Sequence, residues 1–186
     1  MVCNSWGGTQ AICLAATSPS RVGRLVITGS MPVFRGPVSP LLDRSRRGRI
    51  AREEYYGGAG PSLDKMRHLM ARFEWFDEEA IPESTVALRH RQSLEADEIA
   101  CGQVPANRGD WQDLTGHLGR VQSHTLFMWG MYDAFLTPDY PLMLASMVER
   151  GSLHVMDRAS HHLQEERPDD YFAVVDAFLC PSAVQR

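Results

Sequence analysis

Lysine is nearly missing from this sequence: Lys65 stands alone beside eighteen scattered arginines. That imbalance resembles codon bias and carries no function. A strong charge of either sign is also missing. The formal net charge is −4, so nothing draws the chain as a whole to nucleic acid or an anionic membrane. The one concentration, five arginines within residues 44 to 52 (Arg44, Arg46, Arg47, Arg49 and Arg52), reads first as a solvated helix or loop face and second as a phosphate-binding patch. The four cysteines, Cys3, Cys13, Cys101 and Cys180, show neither a CxxC motif nor metal-ligand spacing. No stretch reads as a signal peptide or a membrane-spanning run. These absences point to a reduced, cytoplasmic protein that needs no cofactor. Its partner would be a small molecule rather than nucleic acid or membrane, and a homo-oligomer is possible.

What is present has the order of an α/β protein. The 186 residues suit one core, or one core with an inserted cap. Residues 8 to 17, rich in alanine and leucine, read as a helix that stops before Ser18-Pro19. Arg24-Leu25-Val26-Ile27-Thr28, closed by Gly29, reads as a buried strand. From Met31 the character changes. Prolines at 32, 37, 40 and 61 and a glycine-rich break at 55 to 61 lead into helical patterns at Leu63, Met66, Leu69, Met70 and Phe73, then at Ile81, Val86, Leu88 and Leu94. After about Trp111, strands are expected at residues 124 to 129 and 152 to 156, and helices at 140 to 149 and 169 to 179. Alternating strand and helix implies a parallel sheet. The expected organisation is a core segment with a sharp turn at 1–30, a helical cap at 31–112 and a second core segment at 113–186.

Three short motifs carry chemistry. Asn4-Ser5-Trp6-Gly7-Gly8 places a serine where a strand meets a helix, with glycines to relieve crowding. Taken alone, Ser5 would more often be a helix-capping serine. Asp133 follows the strand that ends at Trp129-Gly130, and His161 follows the strand that ends at Met156. All three then fall at the carboxyl ends of parallel strands, where open α/β sheets gather their sites. His161 would take the proton of Ser5, Asp133 would hold the imidazole, and the backbone N–H of Trp6 would stabilise a developing oxyanion. His162 competes with His161 for the role of base. The adjacent pair could also chelate a metal, but neighbouring side chains point apart and no carboxylate or cysteine is spaced to help.

On these residues the chain resembles the meta-cleavage product hydrolases, which are carbon–carbon bond hydrolases of aromatic degradation with the α/β-hydrolase fold. The landmarks are Asn4-Ser5 with Gly7-Gly8, Ser20 to Val26, Arg89, Leu118-Gly119, Trp129-Gly130 with Asp133 and Phe135, Leu153-His154-Val155, and His161 with Gln164 and Glu166. The resemblance implies a 2-hydroxy-6-oxo-dienoate substrate, a Ser5-Asp133-His161 triad, and substrate contacts at Asn4, Trp6, Arg89, Phe135 and His162. It favours His161 as base, because the family pattern places Gln and Glu three and five residues after that histidine. Asn4 and Arg89 match positions that hold the carboxylate end of the dienoate, and a guanidinium suits that role. By residue type alone, Arg89 beside His90 and Arg91 reads equally well as an exposed cap residue.

Departures from the family pattern are Cys3 in place of glycine, Trp6 in place of a smaller apolar residue, and His162 in place of tryptophan. Family members carry several strands before the serine. A C-terminal fragment or a misassigned start is therefore expected, and the isolated chain is expected to be loose or aggregating. Serine ester hydrolysis by the same triad, and a non-catalytic remnant, are the alternatives.

Overall fold

The computed structural model describes residues 1–33, 45–95 and 113–181. Four strands, β1 (Val2–Asn4), β2 (Arg24–Thr28), β3 (His124–Gly130) and β4 (Gly151–Met156), form one parallel sheet in the order β1-β2-β3-β4. The helices of the core are α1 (Trp6–Thr17), α5 (Asp139–Met147) and α6 (Pro168–Leu179). Between β2 and β3 come α2 (Ser45–Tyr56), α3 (Leu63–Leu69) and α4 (Glu83–Ser93).

The strand sequences explain the layering. A strand sends successive side chains to opposite faces. Leu25, Ile27, Phe127 and Trp129 thus share one face, packed with Ile12 and Ala15 of α1 and Leu144 of α5. Val26, Leu126 and Met128 share the other, packed with Leu163 and with Tyr171 and Val175 of α6. Both faces of β2 and β3 are covered, so these strands read as unbroken apolar runs rather than alternating ones. Two buried hydroxyls beside the sheet are paired: Thr28 Oγ1 lies 3.0 Å from the Tyr171 hydroxyl, and Ser123 Oγ donates to Val22 O at 2.7 Å.

The helices of residues 45–95 build a separate small core from Tyr55, Met66, Met70, Trp75, Ile81 and Val86. The apolar pattern from Leu63 to Phe73 is not one α-helix. It widens into a π-helix over Met70–Glu74, and Leu63, first residue of α3, is exposed. Leu88 and Leu94, expected on an apolar face, are exposed as well. Leu88 follows the buried Val86 by two residues, about 200° around the helix, and so faces away from it. Arg46, Arg47, Arg49 and Arg52 fall on α2, while Arg44 lies outside the described residues; of these side chains the structure describes only that of Arg52, which is exposed. Cys101, Trp111, Pro37 and Pro40 lie outside the described residues. Among the described residues no helix is long and apolar enough to cross a membrane.

At the carboxyl end of β3 the backbone of residues 159 and 160 presses against Gly130. A Cβ on Gly130 would lie 2.1 Å from Ser160 O and 2.5 Å from Ala159 O, and neither carbonyl can swing aside as a side chain could. Met131 N donates to Met156 O and Tyr132 N to Ala159 O, at 2.8 and 3.0 Å, which holds the two loops together. Gly130→Ala is therefore expected to lower stability by about 3 kcal/mol, the upper part of the overpacking range, as read from the denaturant midpoint. A change under about 0.5 kcal/mol, the size of an ordinary surface substitution, would contradict this packing.

Candidate active site

Ser5 occupies the turn between β1 and α1 with φ 48° and ψ −120°. Positive φ is unfavourable for a residue with a Cβ, and such conformations cost on the order of 1–3 kcal/mol, held only where the surroundings impose them. Here Ser5 N donates to Thr28 O at 2.8 Å and Gly8 N to Ser5 O at 3.0 Å. Gly8 is sterically required, since a Cβ there would meet Ser30 Cβ at 2.7 Å; Gly7 is not, its nearest neighbour being Cys3 Cβ at 3.9 Å. The room expected from two glycines is thus supplied by one. Cys3 pairs with Ile27 in the sheet, and burial pushes its thiol pKa up.

Asp133 and His161 meet across the ends of β3 and β4. His161 Nδ1 lies 2.9 Å from Asp133 Oδ2, with both side chains buried. The other carboxylate oxygen, Oδ1, accepts from Phe135 N at 2.8 Å and Leu136 N at 2.9 Å. One oxygen anchors the carboxylate and the other orients the ring. An ionised carboxylate only accepts, so this bond requires the imidazole proton on Nδ1 and leaves Nε2 as the basic nitrogen. Burial alone would lower the pKa of His161. The charge and hydrogen bond of Asp133, with a further push from Glu74, outweigh burial and Arg89 and hold it above the ordinary histidine value. Gly29, at φ +55°, lets the ring lie flush against the end of β2; a Cβ there would be 2.7 Å from His161 Cε1.

A cavity of about 240 Å³ opens beside this pair, lined by Ser5, Trp6, Thr9, Gly29, Met31, Glu74, Phe135, Leu136, His161 and His162. Five candidates from the sequence, Ser5, Trp6, Phe135, His161 and His162, share its wall. Phe135 places its edge on His161, with centroids 4.7 Å apart. The rings of His161 and His162 are perpendicular. Among the described residues no cluster of three or more His, Cys, Asp or Glu is placed to hold a metal ion.

Asn4 and Arg89 are not among the lining residues. Asn4 Nδ2 donates to Thr28 O at 3.4 Å. Arg89, on α4, pairs with Glu74 Oε2 and with Glu165 Oε1, the latter at 2.9 Å, and lies over the Trp75 ring. Glu74 is the one acidic lining residue and was missed by sequence reasoning, since nothing in its neighbourhood sets it apart from the other acidic side chains. Glu166 is a structural tie. It accepts from Ser160 N and from Phe76 N, each at 2.7 Å, and so joins the π-helical end of the insert to the histidine loop.

Two measurements test this geometry. In an NMR titration, the His161 ring is expected to take up its proton above the ordinary value of about 6.5, and Asp133→Asn should move that titration down. The folded state then binds this proton more tightly than the unfolded chain. The associated stabilisation is full below about 6.5 and fades as pH rises through the folded-state value. Titration at or below the ordinary value would contradict the pairing. Gly29→Ala, in turn, should displace the ring and erase the upward shift without unfolding the sheet; a titration unchanged in that variant would count against the contact.

A model of the alpha/beta hydrolase family matches residues 1–174. The 2-hydroxymuconate semialdehyde hydrolase of Pseudomonas sp. (strain CF600) is 30% identical over 185 residues, covering 96% of this chain and 61% of the relative. The 2-hydroxy-6-oxononadienedioate/2-hydroxy-6-oxononatrienedioate hydrolase 1 of Pseudomonas putida is 28% identical over 179 residues, with coverages of 95% and 61%. Among solved structures, a mutant of the meta-cleavage product hydrolase CumD from Pseudomonas fluorescens IP01, complexed with acetates, aligns at 26% identity and a TM-score of 0.74, covering 96% of this chain and 63% of that one. The chain spans about three fifths of the length of these relatives. With the matched model reaching over nearly its whole length, the chain belongs to the alpha/beta hydrolase family.

Proposed function

We propose that the protein hydrolyses a carbon–carbon bond next to a ketone in a 2-hydroxy-6-oxo-dienoate, with Ser5, His161 and Asp133 as its catalytic residues. The observation that carries this reading is the strained Ser5 on the same cavity wall as a His161 whose Nδ1 is committed to Asp133. His161 Nε2 first assists the shift of the dienol to its keto form, moving a proton from the 2-hydroxyl to C5. It then takes the proton of Ser5, or of a water that Ser5 orients, as the oxygen attacks the 6-oxo carbon. The backbone N–H of Trp6, at the first position of α1, faces the developing oxyanion. The C5–C6 bond breaks, and its electron pair leaves on C5 and is delocalised through C4 and C3 onto the C2 oxygen, which takes the proton. A carboxylic acid and a 2-hydroxypentadienoate result, the acid after water has cleaved any acyl-serine. Asp133 stays ionised and stabilises the imidazolium. In this scheme Asn4 and Arg89 hold the carboxylate end of the dienoate.

A second reading, ester hydrolysis by the same three residues, is favoured by one observation: Arg89 is held by two carboxylates away from the cavity wall. Turnover of a 2-hydroxy-6-oxo-dienoate and of a p-nitrophenyl ester separates the two. Arg89→Ala is expected to cost the dienoate reaction about 10²-fold in kcat/KM, the size of losing a charge-assisted bidentate contact, and to leave the ester reaction intact. Equal losses on both substrates, or no dienoate turnover at all, would contradict the carbon–carbon reading.

A further inference from the structure

The cavity contains a carboxylate for which the hydrolytic reaction has no use. Glu74 lines it, at the end of the π-helical segment, with only 16% of its side chain exposed. Departures from α-helical geometry of this kind recur at functional sites. Its Oε2 accepts from Arg89 Nη1 and lies 3.5 Å from His162 Nε2, while Arg89 Nη2 donates to Glu165 Oε1 at 2.9 Å. Since Glu74 is in the wall and Arg89 is not, a ligand in the cavity meets the carboxylate first and the guanidinium behind it. A guanidinium can hold one carboxylate through two parallel bonds. Here two different side chains take one bond each, so both arms are occupied from within the protein.

We propose that Glu74 is a specificity-determining residue that competes internally for Arg89, so that a carboxylate-bearing ligand reaches the guanidinium only by displacing the Glu74 side chain. This rests on reading Arg89 as the residue that holds the substrate's carboxylate. Two observations carry it: Glu74 lines the cavity, and its carboxylate pairs with Arg89, the cation that this reading assigns to the substrate. The displaced carboxylate has a second partner in reach, His162 Nε2. A neutral ligand has no interest in Arg89 and leaves the pair undisturbed. The consequence is selective: Glu74 weakens the binding of anionic ligands and is indifferent to neutral ones of the same shape.

The test is isothermal titration calorimetry with hexa-2,4-dienoate, which has a dienoate chain but no scissile ketone, and with its uncharged amide. Glu74→Gln keeps the shape and removes the charge. The acid is expected to bind about tenfold more tightly to this variant than to the unaltered protein, a modest effect for a charge a few ångströms away at a partly screened site. The amide should bind equally to both. Adding Arg89→Ala to Glu74→Gln should erase the gain. Acid binding that is unchanged, weaker or undetectable in Glu74→Gln, a gain shared equally by the amide, or a gain that survives loss of Arg89 would each overturn the proposal. The carbon–carbon reading fails on different data: a protein that shows this acid–amide split but does not hydrolyse a 2-hydroxy-6-oxo-dienoate keeps Glu74 as competitor and loses that reaction.

Discussion

The hydrogen bond between Asp133 and His161 is the contact on which the rest of the site depends. It joins the loops after β3 and β4, and both partners are buried. Breaking a buried pair by removing one partner typically costs about 3–5 kcal/mol, because the other charge is left without compensation. The fold prepares the pair from three sides. Oδ1 of Asp133 is fixed by the backbone N–H groups of Phe135 and Leu136. Gly130 admits the backbone of residues 159 and 160. Gly29 admits the imidazole itself. A side chain on either glycine would push the histidine loop outward, and the orientation of Nε2 would be lost with it.

The parallel sheet explains why these groups can meet. Ser5, Asp133 and His161 follow β1, β3 and β4, and Gly29 follows β2, so one edge of the sheet collects them all. The insert covers that edge and adds its own chemistry. Glu74, Phe76 and Arg89 reach down from it to the loop at 160–166, through His162, Glu166 and Glu165 respectively. Phe73 stacks against Phe135 and Phe76 against Tyr132, with centroids 6.0 and 4.6 Å apart. The insert is thereby both a wall of the cavity and the source of its fixed charge.

Much of this was readable from the residues, for physical reasons. Apolar runs such as Leu126-Phe127-Met128-Trp129 have one stable place in a soluble α/β chain, a strand covered on both faces. A serine before glycines, an aspartate and a histidine, each just beyond such a strand, then fall at one edge without further information. What could not be read depends on side-chain direction in the insert. Leu88 and Leu94 share a residue type with the buried positions but not their angle around the helix. The π-helical turn over Met70–Glu74 changes the angular step per residue, so an α-helical wheel does not give the direction of Glu74. Arg89 could be recognised as a guanidinium suited to a carboxylate, but its occupation by Glu74 and Glu165 depends on contacts 15 and 76 residues apart in the chain.

The central claim is that Ser5 is a nucleophile activated by His161. Its most direct test is exposure of the protein to a fluorophosphonate, followed by intact-mass measurement and peptide mapping, with His161→Ala as control. The account predicts one covalent adduct, at Ser5, that disappears in the variant. A protein that remains unlabelled, or one labelled equally well without His161, would contradict it.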